Sequence, residues 1–187
     1  TLFALRNEMV DAGDLNEQAL IRELPHVNIR FAEPDATGKA RVLLNEEDVE
    51  DEIRQMHVAN HVSAVAGVPE VREKLVALQQ KMGELKGVVM DGRDIGTVVF
   101  PNAELKIFMT ADPEVRVQRR LAELKAKGDA VSAEDVRKNL EERDYQDTHR
   151  AADPLRQAED AVVLDNTNLN KEEQFNLVLE WVNQKLA

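Results

Sequence analysis

Gly87-Val-Val-Met-Asp91, followed at once by Gly92-Arg-Asp-Ile-Gly96, is the stretch that decides how this chain is read. A short apolar run ending on a carboxylate and running into a glycine-flanked Arg-Asp pair reads as a buried strand with a polar loop at its carboxyl end. Two further runs repeat the pattern. Leu105-Lys-Ile-Phe-Met109 leads into Asp112-Pro113, an N-cap with proline at the first helical position, and Ala161-Val-Val-Leu-Asp165 ends on Asp. Helices are expected between them, from Pro113 towards Gly128, from Glu134 to about Ala151, and from Lys171 to Lys185. Short apolar strands alternating with helices imply an α/β fold with a parallel sheet covered on both faces.

Working outward, Pro69 opens a helix to about Glu84. Glu46 to Ala66 reads as one helix whose acidic run, Glu46 to Glu52, complements the helix dipole. His26-Val-Asn-Ile-Arg-Phe31 and Lys39-Ala-Arg-Val-Leu-Leu44 alternate as strands around a Pro- and Gly-containing turn, a hairpin signature. Leu2 to Leu24 reads as two short helices broken at Asp11-Ala-Gly-Asp14, with Asp14 capping the second and Glu17 completing a capping box.

The chain has 187 residues and a formal net charge of -12, with 43% hydrophobic residues. That excludes a disordered chain, and the length suits one domain. Cysteine is absent, which rules out disulfides and thiolate metal sites and fits a reducing cytoplasm. The acidity argues against a protein that coats nucleic acid. It is not uniform, however: residues 1–50 carry 5 basic against 11 acidic groups, whereas residues 116–156 hold seven of the fourteen arginines. Local charge is what a bound phosphate feels.

In a parallel sheet, ligands gather at the carboxyl ends of the strands. There Asp91, Arg93 and Asp94 could approach a ligand: arginine offers a planar fork to phosphate, and a carboxylate accepts from an amine or holds hydrated magnesium. The plainer reading is a surface turn with Arg93 paired to a neighbouring Asp. Arg143, Asp147 and Arg150, at i, i+4, i+7, share one helix face, and alone they read first as a solvated ladder. Arg116, Arg119 and Arg120 stack like charges at i, i+3, i+4, an arrangement that an anion would relieve. The His57 and His61 pair reads as structural rather than as a metal site.

The block Asp91-Gly-Arg-Asp-Ile-Gly-Thr-Val-Val-Phe-Pro101 resembles the bacterial cytidylate kinases of the nucleoside monophosphate kinase family. The likeness continues through Val58-Ala-Asn60, Ser63, Pro69-Glu-Val-Arg72, Lys106-Ile-Phe108 and Glu142-Arg-Asp144 to Asp147 and Arg150. It implies a P-loop kinase fold: a three-layer α/β/α domain over residues 1–187, with a β-hairpin-bearing monophosphate-binding insertion at about 26–72 and a helical lid at about 120–135, around Lys127-Gly-Asp-Ala130. It further implies a monomeric cytoplasmic enzyme that transfers the γ-phosphoryl of ATP, with Mg2+, to CMP or dCMP. By the same resemblance Arg93 and Arg150 hold the acceptor phosphate, Arg143 and Asp147 the sugar hydroxyls, and Ser63, Arg72 and Asp94 the cytosine. Arg119 and Arg120 meet the donor phosphates, and Asp91 sits near magnesium through water. Nothing like G-x-x-x-x-G-K-[ST] occurs in these residues, so the resemblance places Thr1 after the family's first strand, P-loop and first helix. The activity of the chain by itself is then open, and a non-catalytic nucleotide-binding or scaffold derivative is the alternative. An acidic α/β domain with solvated arginine ladders is the bland third reading.

Overall fold

The computed structural model describes residues 1–187 other than Ala12, Leu85, Lys127, Asp129, Ala151, Ala152 and Ala187. The chain divides into two compact units, Thr1–Leu78 and Gln79–Ala187.

In the first unit, α1 (Leu2–Arg6) is followed by a small antiparallel pair, β1 (Val10–Asp11) and β2 (Asp14–Leu15), and then by α2 (Glu17–Glu23). The break between the helices is where the sequence puts it, but it is a hairpin, and Asp14 is paired in it instead of capping α2. The cap is Asn16, whose side chain accepts from Ala19 N at 3.0 Å. β3 (Ile29–Phe31) and β4 (Val42–Leu44) form the expected antiparallel hairpin, with Ile29 opposite Leu44.

The single helix expected over Glu46 to Ala66 does not form. Asn45 and Glu46 both take positive φ, 48° and 69°, and turn the chain back so that β5 (Glu47–Asp48) pairs with β4. Only later come a 3-10 turn at Glu52–Arg54, then α3 (Met56–Ala59) and α4 (Val62–Ala66). The acidic run therefore complements no helix dipole. It is a clasp for arginines: Arg6 pairs with Glu47 and Glu52, Arg30 with Glu46, Arg41 with Asp48 and Asp51, and Arg54 with Glu50. Hydrogen bonds from Arg30, Arg41 and Arg54, respectively, hold the carboxyls of Glu46, Asp48 and Glu50 below their ordinary values.

Two apolar clusters fill this unit. Ala4, Met9, Leu20, Val65, Val68 and Val71 pack together in one, and Leu2, Val27, Leu44, Val49 and Val58 in the other. The second includes Leu44 with Ile29 and Val42 packed against it, so the β3–β4 hairpin is anchored in the core rather than standing free. α5 (Pro69–Gly83) carries the chain across the boundary between the units.

In the second unit the run Gly87–Asp91 is not a strand. Lys86 and Gly87 take positive φ, 57° and 66°, and Val89 is fully exposed. A strand exists only through its ladder, and among the described residues this run has no ladder partner. The other two strand expectations hold within two residues. β6 (Ile107–Thr110) and β7 (Val162–Asp165) pair in parallel, with Thr110 beside Asp165, so both carboxyl ends lie at one edge. Between them run α6 (Pro113–Ala126) and α7 (Ala133–His149), and α8 (Lys171–Leu186) closes the chain.

The helix starts follow local chemistry. Asp112 Oδ1 accepts from Glu114 N at 2.9 Å ahead of Pro113. Ser132 and Asp135 cap α7 reciprocally, and Asn170 and Glu173 do the same for α8. α6 and α7 pack together around Val117, Leu124 and Val136, flanked by Leu121 and Leu140. Two ion pairs tie the same helices, Arg116 to Asp144 and Arg137 to Glu114. No helix among the described residues is long and apolar enough to cross a membrane.

Candidate functional site

The charged cluster of the second unit is assembled from two segments that sequence alone leaves far apart. One is the loop after Asp91. It gives way to a π-type turn over Ile95–Val99, in which Asp94 O accepts from Val98 N at 2.9 Å and Phe100 N donates to Ile95 O at 2.7 Å. Such turns recur at functional sites. The other is the last turn of α7 and the residue that ends it. Arg150 leaves the helix with extended backbone, and its guanidinium Nε donates to Asp153 O at 2.8 Å.

Arg93 Nε lies 2.8 Å from Asp147 Oδ2. Arg150 reaches Asp147 Oδ1 at 3.7 Å and Asp94 Oδ2 at 3.8 Å. Asp94, Asp147 and Arg150 keep only 13 to 15% of their side-chain surface exposed, whereas Arg93 keeps 40%. The Arg93 contact is an ion pair off the hydrogen-bonding line. It leaves Asp147 Oδ2 buried without an aligned donor among the described residues. Arg143 joins the group from one turn earlier on α7. Desolvation of its charged end, and then repulsion from Arg93, lowers its guanidinium below the usual arginine value. Among the described residues of this unit, Arg93, Arg143 and Arg150 gather around Asp94 and Asp147, one positive charge in excess within this group. The ladder reading of Arg143, Asp147 and Arg150 therefore gives way: this is a partly buried network with an electrostatic demand for an anion.

The other predicted residues are placed differently. Asp91 is exposed at the head of the loop. Ser63, exposed on α4, and Arg72, half-buried on α5, belong to the first unit. Arg119 donates to Asn166 Oδ1 at 2.9 Å and to the carbonyls of Asn166, Thr167 and Leu169, so it braces the loop after β7. Arg120 pairs with Glu123 at 2.8 Å. Within the lid range, Lys127 and Asp129 lie outside the described residues.

Each of the stacked arginines of α6 has its own protein partner. Arg116 makes a two-pronged bond to Asp144 at 2.6 and 3.0 Å, and each of the three is answered separately. Nothing in the sequence signals that Asp144, 28 residues on, pairs with Arg116, because only the packing of α6 on α7 makes the pair. Among the described residues no group of three His, Cys, Asp or Glu is placed to hold a metal ion.

A unit with a parallel strand pair and a partly buried, arginine-rich cluster has the chemistry to take a phosphate-bearing ligand. The comparisons place it more closely. A family model described as cytidylate kinase matches residues 1–184. A protein named cytidylate kinase from Flavobacterium johnsoniae is 58% identical over 181 residues, covering 97% of this chain and 79% of that protein. Those of Flavobacterium psychrophilum and Bacteroides thetaiotaomicron are 50% and 46% identical, covering 98% and 100% of this chain and 81% and 80% of theirs. The chain belongs to the cytidylate kinase family. The alternative of an inactive or scaffold derivative is not borne out: nearly the whole chain aligns with proteins named for the enzyme.

Proposed function

We propose that this protein transfers the γ-phosphoryl group of ATP to CMP or dCMP, giving CDP or dCDP and ADP. A 5′-phosphate oxygen of the acceptor attacks the γ phosphorus, the bond to the β–γ bridging oxygen breaks, and ADP departs with that electron pair. Such transfer asks of the protein mainly positioning and positive charge around the equatorial oxygens. The observation that carries the reading is the surplus charge of Arg93, Arg143 and Arg150 over Asp94 and Asp147, brought together in a site only partly open to water.

In this reading Arg93 and Arg150 hold the acceptor phosphate. Asp147, whose buried Oδ2 has acceptor capacity to spare, takes a sugar hydroxyl with Arg143 beside it. Asp94 accepts from the cytosine amine while Ser63 and Arg72 donate to the ring acceptors. Uracil would set a carbonyl against the Asp94 carboxylate, and an unmet buried polar group costs about 1–3 kcal/mol. Arg119 and Arg120 serve the donor phosphates on closure of a lid at about 120–135, which for Arg119 means exchanging its grip on the loop after β7.

Asp91 is a single exposed carboxylate. That suits Mg2+, which keeps its waters and binds chiefly through nucleotide phosphates. The ion, when bound, would neutralise charge on those phosphates, and Asp91 would hold its hydration shell. The reading includes a monomeric, cytoplasmic, three-layer α/β/α kinase, with the hairpin region at about 26–72 as a monophosphate-binding insertion and no role for nucleic acid. The test is ADP release by the purified protein, with CMP, dCMP, UMP and AMP as acceptors. CMP and dCMP are expected to lead, and Asp94→Ala to lower the CMP preference over UMP. Equal losses on both acceptors would remove Asp94 from base recognition.

A further inference from the structure

Arg93 and Asp94 sit on a loop without regular pairing, yet their site needs them fixed. The contacts that hold this loop converge on Lys106, the residue before β6. Its side chain is only 8% exposed, and its ammonium donates to Pro101 O at 2.6 Å and to Asp160 Oδ1 at 2.8 Å. Its methylene stem lies along Gly96, so closely that a Cβ there would fall 3.3 Å from Lys106 Cδ. Its backbone carbonyl accepts from Val162 N at 2.9 Å, which pins the residue to the parallel ladder.

The turn between the two anchors begins at Asp94, whose carbonyl accepts from both Val98 N and Val99 N. Val99 is 2% exposed, so the turn's far side is set in apolar packing. Lys106 thus touches the loop at Gly96 and at Pro101, on both sides of that packed residue. Asp160 completes the clip, and hydrogen bonding from Lys106 lowers its carboxyl below the ordinary value.

We infer that Lys106 is a positioning residue: it fastens the Ile95–Val99 turn to the β6–β7 sheet and so aims Arg93 and Asp94 at the nucleotide, without meeting the nucleotide itself. Family likeness alone would count this lysine among phosphate-gripping groups. Its ammonium is instead enclosed by two protein oxygens, and an arginine fork aimed by a rigid loop is worth more than one on a mobile loop. The inference rests on the proposed nucleotide site.

The experiment compares the wild-type protein with Lys106→Met, which keeps the stem and removes the ammonium, and with Asp160→Asn at an exposed partner. CMP and UMP affinities are read by titration calorimetry, and amide hydrogen exchange by NMR. Lys106→Met is expected to weaken CMP about tenfold and to narrow the CMP-to-UMP ratio. The amides of Val98, Val99 and Phe100 should exchange faster while those of β6 and β7 keep their protection. Asp160→Asn should move the same readouts by about threefold, because Pro101 O still holds the ammonium. A purely structural lysine would lower the melting temperature and leave the ratio alone. Wild-type protein without a CMP preference would overturn the site and the inference together. A wild-type preference that survives Lys106→Met with unchanged turn exchange would overturn the inference alone. Should Lys106→Met fail to fold, an unchanged ratio in Asp160→Asn would do so.

Discussion

Asp147→Asn separates the electrostatics of the cluster from its packing, because the amide keeps the shape and removes the charge. Asp147 is 15% exposed and faces Arg93 at 2.8 Å and Arg150 at 3.7 Å. Breaking one partner from a fully buried pair costs about 3–5 kcal/mol. That figure needs discounting here, since Arg93 is 40% exposed and screened by water. Arg150, moreover, retains Asp94 and the Asp153 carbonyl. A loss of about 2 kcal/mol remains, which for a chain of this size lowers the melting midpoint by about 4–8 °C. Trp181, the single tryptophan, lies on α8 in the second unit, so its fluorescence reports the unit that holds the cluster.

The same substitution raises the surplus charge of the cluster from one to two. Inorganic phosphate should therefore bind severalfold more tightly at low salt, with the gain fading as salt screens it. CMP should bind more weakly, because the acceptor for the sugar hydroxyl is lost. Stability, phosphate affinity and CMP affinity thus move in a pattern that no single packing defect reproduces. An unchanged midpoint together with unchanged phosphate affinity would refute the network as drawn.

Two further outcomes are expected. At Gly83, the last residue of α5, an added Cβ would fall 2.3 Å from Phe100 Cε1 and 2.6 Å from Cζ. Helix propensity favours Gly83→Ala by about 1 kcal/mol, but displacing a packed ring costs about 1–3 kcal/mol. The variant should be slightly less stable by denaturant titration, and a stabilised variant would show that the ring moves freely. In the first unit, Glu46, Asp48 and Glu50 titrate below their ordinary values because arginines bond them, so the unfolded chain takes up protons first as pH falls. The clasp's contribution is complete above the ordinary carboxylate pKa of about 4 and is lost as pH drops through the lower folded values. Arg41→Ala should then differ from wild type at pH 7 and converge with it towards pH 2–3, as followed by circular dichroism; a constant difference would show that Arg41 acts through packing.

Much of the second unit is legible in local chemistry. Asp112-Pro113 and Ser132 announce their helices because a cap needs only a side-chain oxygen and the next three amides, all within four residues. The strands at Ile107–Thr110 and Val162–Asp165 show as apolar runs of the kind parallel strands carry, although Met109, Val162 and Val163 stay about half exposed and Leu164 alone of the eight residues is buried. The run Gly87–Asp91 carries the same composition and forms no ladder among the described residues, since pairing is not a property of one segment. The acidic run at Glu46–Glu52 misled for a related reason. A helix-dipole reading uses local sequence, whereas Asn45 and Glu46 turn the chain back and arginines as distant as Arg6 decide where the carboxylates go.

The sequence by itself determined that this is an α/β chain, where most of its helices begin, and, through the ordered block from Asp91 to Pro101, which family it belongs to. These are matters of local bonding and of side-chain order along the chain. Only the tertiary structure decided which arginines are available to an anion. Fourteen arginines look alike in sequence, yet Arg116 is held by Asp144 and Arg119 braces the loop after β7, while Arg93, Arg143 and Arg150 gather around Asp94 and Asp147. Charge is additive along a chain, but its effect depends on distance and on exclusion of water, and folding alone sets both.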